Sequence, residues 1–287
     1  MPAGKILLQG ADNVKCEIMK VRSKKMKKMN DAAKKRLIEI KGRTWQYDDL
    51  LMEFSSDPHS KEKQIHGLGL CEQEPRALLI QPVEVEELRS REGLFEEVST
   101  IRDAVDMPFA IVFLAVEDWN QQLSPWQAPA VFGKQDFGAG AKETLGAIET
   151  ILPAIIERCY NLPENAPVVL GGYSLAALFS LWSAYESRSF AAIAAASPSV
   201  WFPGWLDYAK AHEPHAGVIY LSLGDREDKG RNPVMRTVST CIKEQHALLQ
   251  EAGIKTTLAW NPGNHFQQPE QRCAKGFIWC LEQLFSE

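Results

Sequence analysis

The stretch APVVLGGYSLAALFSLW, residues 166–182, is the one on which the fold turns. An apolar run enters Gly171 and Gly172, meets Tyr173 and Ser174, and continues from Leu175 and Ala176 as a helical pattern. This reads as strand, sharp turn and helix, with a serine at the apex. Such a turn strains the serine backbone and lifts its hydroxyl clear of the sheet. Small residues two before and two after the serine let strand and helix approach. Gly172 fills the first place, and Ala176 stands in the second, where glycine is usual. The helix N-terminus also favours negative charge developing beside Ser174. A five-residue string of this kind occurs often by chance, so the surrounding order has to carry the weight.

Similar apolar runs lie on either side. ALLIQPV (77–83), FAIVFLAV (109–116), AAIAAAS (191–197) and VIYLSLG (218–224) are short and continuous, and KTTLAWNPG (255–263) alternates before a Pro-Gly turn. Continuous runs suit parallel strands covered on both faces. Helical stripes fall between them: Ala141, Leu145, Ile148, Leu152, Ile155 and Cys159; Met235, Val238, Ile242 and Leu249; Phe277, Leu281 and Leu284. Strand–helix alternation repeated about five times implies a doubly wound α/β sheet.

A serine alcohol needs a base, and the base needs an orienting carboxylate. After an elbow serine the expected chain order is acid, then histidine. VIYLSLG ends in Gly224 and is followed by Asp225, Arg226, Glu227 and Asp228; LAWNPGNHF (258–266) ends in a turn that displays His265. Each group sits just past the carboxyl end of an expected strand, the edge at which open α/β sheets place their sites. His59 and His66 precede the main run of elements, His212 and His215 lie in a polar stretch, and His246 falls inside a helical pattern.

The 287 residues are 45% hydrophobic and 24% charged, with a net charge of −5. Composition of this kind excludes a disordered or fibrous chain, and the charge excludes a polycation for nucleic acid. The basic excess is concentrated in Lys20–Arg43, with 11 basic and 2 acidic side chains. That run reads as a solvated face, a partner surface or an inserted helix near the site. Six scattered cysteines without CxxC spacing read as thiols in a reducing compartment. No metal site is expected. The start of the chain lacks the apolar stretch of a signal peptide, and PFAIVFLAV (108–116) is too short to span a bilayer. The expectation is a cytoplasmic protein away from membranes. ILLQG and CEIMKV are expected to form an opening hairpin, Ser23–Ile40 a basic helix, TWQYDDLLMEF (44–54) a second helix, and residues 55–62 a loop.

GGYSLAALFSLW, SPSVW (197–201), WNQQLSPW (119–126) and PGNHF (262–266) together resemble the α/β-hydrolase fold. Within it they resemble the esterase family of esterase D and siderophore esterase type, over about residues 77–285. The resemblance and the pattern together imply an α/β-hydrolase fold: a mostly parallel, doubly wound sheet with helices on both faces and an N-terminal helical, basic extension or insertion. Residues 1–76 would be that N-terminal segment and 77–287 the catalytic core, together one structural domain.

By position, the resemblance makes Ser174 the nucleophile and His265 the general base. It favours Glu227 as the acid, three residues after the strand-ending glycine, with Asp225 and Asp228 as rivals on the same turn. The oxyanion hole would take the backbone N–H of Leu175 and, from the turn after ALLIQPV, that of Val83 or of Glu84. Many relatives carry His-Gly there; this chain has Gln81-Pro82, and proline has no N–H. Trp119, Trp126 and Trp201 either line an acyl or alcohol pocket or close the loops over the core. The implied activity is hydrolysis of a small-molecule carboxylic ester without a cofactor. A non-catalytic binding protein of the same fold and an acyltransferase with the same three residues are the alternatives. The sequence leaves the oligomeric state open.

Overall fold

All six expected apolar runs are strands in the computed structural model, which describes residues 36–40, 43–54, 63–158 and 162–286. They are β4 (Leu78–Glu84), β5 (Ala110–Val116), β6 (Val168–Tyr173), β7 (Ala192–Ala196), β8 (Val218–Gly224) and β9 (Lys255–Asn261). Three earlier strands, β1 (Arg36–Ile40), β2 (Arg43–Phe54) and β3 (Lys63–Cys71), extend the same sheet. The spatial order is β1-β2-β3-β5-β4-β6-β7-β8-β9. From β5 to β9 every neighbouring pair is parallel, whereas β2 with β3 and β3 with β5 are antiparallel.

Successive side chains of a strand point to opposite faces. Here both faces are buried, which is why the runs are continuously apolar. Leu170, Ile193, Ala195, Ile219 and Leu221 face one side, under α4 (Ala141–Arg158), α5 (Leu175–Glu186), α6 (Trp205–Ala211) and α7 (Val238–Glu251). Val169, Ala192, Ala194 and Tyr220 face the other, under α2 (Glu92–Ala104) and α8 (Pro269–Phe285). Two short helices, α1 (Val85–Ser90) and α3 (Trp119–Leu123), follow β4 and β5 directly. Each fully buried leucine or isoleucine contributes about 1.5–3 kcal/mol. Most of each expected stripe is the inward face of its helix: Ala141, Leu145, Ile148 and Ile155 on α4, Val238, Ile242 and Leu249 on α7, and Phe277 and Leu281 on α8 are all buried, whereas Met235 stands in a 3-10 turn before α7 and Cys159 lies outside the described residues.

The N-terminal flank departs from expectation. Residues 44–54 are not a helix but most of β2, and the expected basic helix ends in a strand over Arg36–Ile40. Tyr47, Leu50, Leu51 and Phe54 do recur at helical spacing, and Asp48, Asp49 and Glu53 break any alternation. Pairing decides instead: β2 runs against β3 from Gln46 opposite Cys71 to Phe54 opposite Lys63. Trp45 anchors its start, almost fully buried, with its ring edge-on to Phe109 at 5.3 Å. Tertiary pairing overrides local pattern most readily at a sheet margin. The expected hairpin, the rest of the basic run and the 55–62 loop lie outside the described residues. Among the described residues, no helix is long and apolar enough to cross a membrane.

Candidate active site

Ser174 stands between β6 and α5 with φ 58° and ψ −116°, a conformation that side chains other than glycine rarely adopt. Strain of this kind costs roughly 1–3 kcal/mol and persists only where the surroundings impose it. Here the Ser174 N–H donates to the Ala196 carbonyl at 3.1 Å, and its own carbonyl accepts from Leu178 and Ser199, each at 3.1 Å. A Cβ on residue 172 would lie 2.8 Å from the Ala176 methyl and 3.0 Å from the Ala176 carbonyl carbon. Strand and helix therefore meet closely because Gly172 has no side chain. That absence also makes room for the methyl where glycine is usual.

The second and third groups come from the ends of β8 and β9. Glu227 opens a short 3-10 turn (Glu227–Lys229) three residues past Gly224, and His265 lies in the turn after Asn261. His265 Nε2 is 3.0 Å from Ser174 Oγ, and His265 Nδ1 is 2.7 Å from Glu227 Oε2. With Nδ1 donating to the carboxylate, Nε2 is left as an acceptor for the serine proton. The two loops are sewn together by their backbones. Asp225 N–H donates to Asn261 O at 2.8 Å, Arg226 N–H to Gly263 O at 3.1 Å, and Gly263 N–H to Asp225 Oδ1 at 2.8 Å. A Cβ on Gly224 would lie 2.5 Å from Gly263 O, so this approach also requires glycine.

Glu227 is buried, yet both of its oxygens are supplied with donors. Oε1 accepts from Gly224 N–H at 2.7 Å, Ser197 O–H at 2.8 Å and Arg272 Nη1 at 2.8 Å. Burial acts to raise its pKa. The hydrogen bond and charge of His265, with the Gly224 amide and Ser197 hydroxyl, outweigh burial and hold the carboxyl below its ordinary range.

The other sequence candidates lie nearby with different partners. Asp225 is spent on the Gly263 amide, and Asp228 faces Lys229 at 3.3 Å. Burial acts to raise Asp228, but hydrogen bonds from Ser239 and Lys229 hold it below its usual value. Leu175 is the first residue of α5, so its N–H is among those a helix leaves without an internal partner. Val83 lies in β4 opposite Ala115 of β5. On the other edge of β4, pairing with β6 runs only from Leu78–Val168 to Ile80–Leu170. Continuing that register brings Val83 level with Tyr173, next to the nucleophile candidate. Trp126 donates its indole N–H to Pro203 O at 2.8 Å and packs on Phe202 and Tyr208. Trp201 is buried against Phe132 and Phe137, and Trp119 is half-buried against the same core. Phe266 is 85% exposed, edge-on to the His265 ring at 5.5 Å. Among the described residues, no three His, Cys, Asp or Glu side chains gather as a metal site requires.

Arg272 escapes a reading based on strand ends. It lies in the first turn of α8 and is 2% exposed. Its Nη1 donates to Glu227 Oε1 at 2.8 Å, Tyr173 Oη at 3.0 Å and Ser197 Oγ at 3.1 Å. Its Nη2 donates to Asn264 O at 2.9 Å and Pro262 O at 3.1 Å. Tyr173 donates its own O–H to the His265 carbonyl at 2.6 Å. The available signal is a cation in the first turn of a helix, where the macrodipole disfavours it, next to the apolar stripe.

The strand order, with the strained Ser174 between β6 and α5, defines an α/β-hydrolase fold. No family model matches the chain. It is 24% identical over 187 residues, 62% of this chain and 74% of the relative, to the uncharacterized protein YbbA of Bacillus subtilis (strain 168). Among solved structures it resembles the siderophore hydrolase EstA of Aspergillus nidulans, with TM-score 0.62 and 17% identity, over 84% of this chain and 95% of that one. It also resembles an IroE-like serine hydrolase from Shewanella oneidensis, with TM-score 0.64 and 13% identity, over 85% and 82% of the two chains. At these identities the likeness speaks to the fold.

Proposed function

We propose that this chain is a serine hydrolase of small-molecule carboxylic esters, with Ser174, His265 and Glu227 as its catalytic residues. The observation that carries the reading is the unbroken contact from Ser174 Oγ through the His265 ring to Glu227, at 3.0 Å and 2.7 Å. His265 Nε2 takes the Ser174 proton as Oγ attacks the ester carbonyl carbon. The oxyanion is held by the amides of Leu175 and Val83, and its charge also meets the N-terminus of α5. On collapse, His265 returns the proton to the departing alkoxide, leaving an acyl group on Ser174. Water then repeats the sequence, giving its proton to His265 and releasing the acid. Glu227 fixes the ring tautomer and stabilises the imidazolium at each turn.

Two of the structural neighbours, EstA and EstB of Aspergillus nidulans, are siderophore hydrolases, and others are enterobactin esterases of Shigella flexneri. A siderophore ester therefore belongs among the candidate substrates. The test is turnover of p-nitrophenyl acetate and butyrate, together with labelling by a fluorophosphonate. Ser174→Ala is expected to lower kcat by at least about 10⁴-fold and to abolish labelling. Unchanged turnover in that variant, or a folded wild-type chain that the phosphonate leaves unlabelled, excludes the mechanism. Product analysis with added alcohol separates hydrolysis from acyl transfer.

A further inference from the structure

Arg272 touches four segments that have no reason in sequence to meet. They are the end of β6 through Tyr173, the end of β7 through Ser197, the acid turn through Glu227, and the His265 loop through the carbonyls of Pro262 and Asn264. Its guanidinium is a flat fork, and the two prongs are used differently. One prong occupies Glu227 Oε1, leaving Oε2 to face His265 Nδ1. The other grips the loop that carries His265 from behind. A lysine has one compact ammonium and cannot serve both sets at once. Burying a cation at 2% exposure is costly unless it is fully paired, and here the guanidinium hydrogen bonds go to the segments that carry the candidate site.

We infer that Arg272 is a positioning residue for the general base, a clamp that sets the acid turn and the His265 loop in mutual register and assigns one Glu227 oxygen to His265. The inference rests on the serine hydrolase reading above. The clamp also acts through charge. Arg272 and His265 share one carboxylate, so the arginine takes up part of the negative charge that Glu227 presents to the ring. Other groups face this pair. From β6 comes Tyr173, neutral and pushed up to about 12 chiefly by burial. From α8 comes Cys273, its thiol pushed well up by burial. Asp225 and Arg226 flank Glu227 on the acid turn. Neither Tyr173 nor Cys273 changes charge in the neutral range, and Asp225 and Arg226 are the same in every variant, so a moved acid limb reports the loss of Arg272.

The experiment measures kcat, KM and the pH profile on p-nitrophenyl butyrate for wild type, Arg272→Met and Arg272→Lys, with active sites counted by phosphonate titration. For Arg272→Met, kcat per titrated site is expected to fall about 100-fold with KM within about threefold, as for a misplaced reacting group. Its acid limb is expected to move to higher pH by about one unit. Arg272→Lys keeps the charge and loses the fork. Its limb is expected to stay in place while kcat falls about tenfold. If Arg272→Met does not fold, the lysine variant decides alone. Wild-type kcat per site in Arg272→Lys, or an unmoved limb and undiminished kcat in a folded Arg272→Met, overturns the clamp and leaves an arginine that only stabilises. An inert wild type removes the hydrolase reading itself, a separate result from an active wild type with indifferent variants.

Discussion

Glu227 and Glu97 are both buried, at 8% and 1% exposure, and they carry opposite consequences of burial. Glu227 receives donors from His265, Gly224, Ser197 and Arg272, and its carboxyl is held below the ordinary range against the pull of burial. Glu97, on α2, receives one donor, Gln81 Nε2 at 3.2 Å, while its Oε1 and the Gln81 Oε1 meet no partner among the described residues. Burial pushes it well above the ordinary range; the Gln81 bond opposes this weakly, and the charges of Glu87 and Glu270 add to it. The difference teaches that burial alone does not set a carboxylate's charge. The donors do, and in this molecule they converge on the glutamate beside His265.

The largest break in the comparison comes from making both side chains amides. Glu227→Gln is expected to lower kcat on p-nitrophenyl butyrate by about 10³–10⁴-fold with little change in KM. An amide NH₂ facing Nδ1 would move the ring proton to Nε2, where it can no longer accept from Ser174. Glu97→Gln is expected to leave kcat within about twofold. Equal losses in the two variants would mean that the charge at Glu227 has no special role, and the comparison would fail.

Stability against pH sharpens the same contrast, because the two glutamates contribute slopes of opposite sign. Glu97 has a raised folded pKa. Its contribution is fully present below the unfolded value of about 4.3 and is lost as pH rises toward the folded one, since only the unfolded chain releases the proton early. Glu97→Gln removes that slope. Its urea midpoint is expected to match wild type near pH 4 and to exceed it by a margin that grows as pH rises toward the folded value of Glu97. Glu227 has a lowered folded pKa, so its contribution is present above the unfolded value and lost as pH falls through the folded one. Glu227→Gln is therefore expected to be most destabilised at neutral pH and to approach wild type in acid. Parallel midpoint curves for the two variants would contradict the assignment of charge.

What the sequence makes legible follows burial as well. The strands β4 to β9 are readable because two covered faces demand unbroken apolar runs, and α4, α7 and α8 because one covered face demands a stripe. The flank of β1, β2 and β3 is not. In KQIHGLGLC, Leu68 and Leu70 point to one core and Cys71 to the other, with glycines between them, so the apolar run is broken, and β2 owes its form to the strand beside it rather than to its own pattern. At the candidate site, Ser174 and His265 stand out because each follows a strand end. Arg272 and Glu97 do not, since each is a charge set among apolar residues of a helix that looks like any solvated position until its packing is known. Residues that act through other residues leave little trace in a sequence read for strands and turns.

The smallest expected effect concerns the two carboxylates that share a turn with Glu227. Asp225, Glu227 and Asp228 are within four residues, and chain order alone gives no one of them priority. Geometry separates them. Asp225 is 57% exposed at its side chain and accepts from the Gly263 amide, a role that an asparagine oxygen also fills. Asp228 faces Lys229, itself 70% exposed, and a partly exposed ion pair contributes at most about 1 kcal/mol. Asp225→Asn and Asp228→Asn are therefore each expected to keep kcat within about threefold and stability within about 1 kcal/mol. A loss above about 100-fold in either variant, beside a mild Glu227→Gln, would move the acid to that aspartate and require the His265 loop to swing away from its present contact. The two backbone bonds from Asp225 and Arg226 to Asn261 and Gly263 oppose such a swing, because they hold the start of the His265 loop against the acid turn.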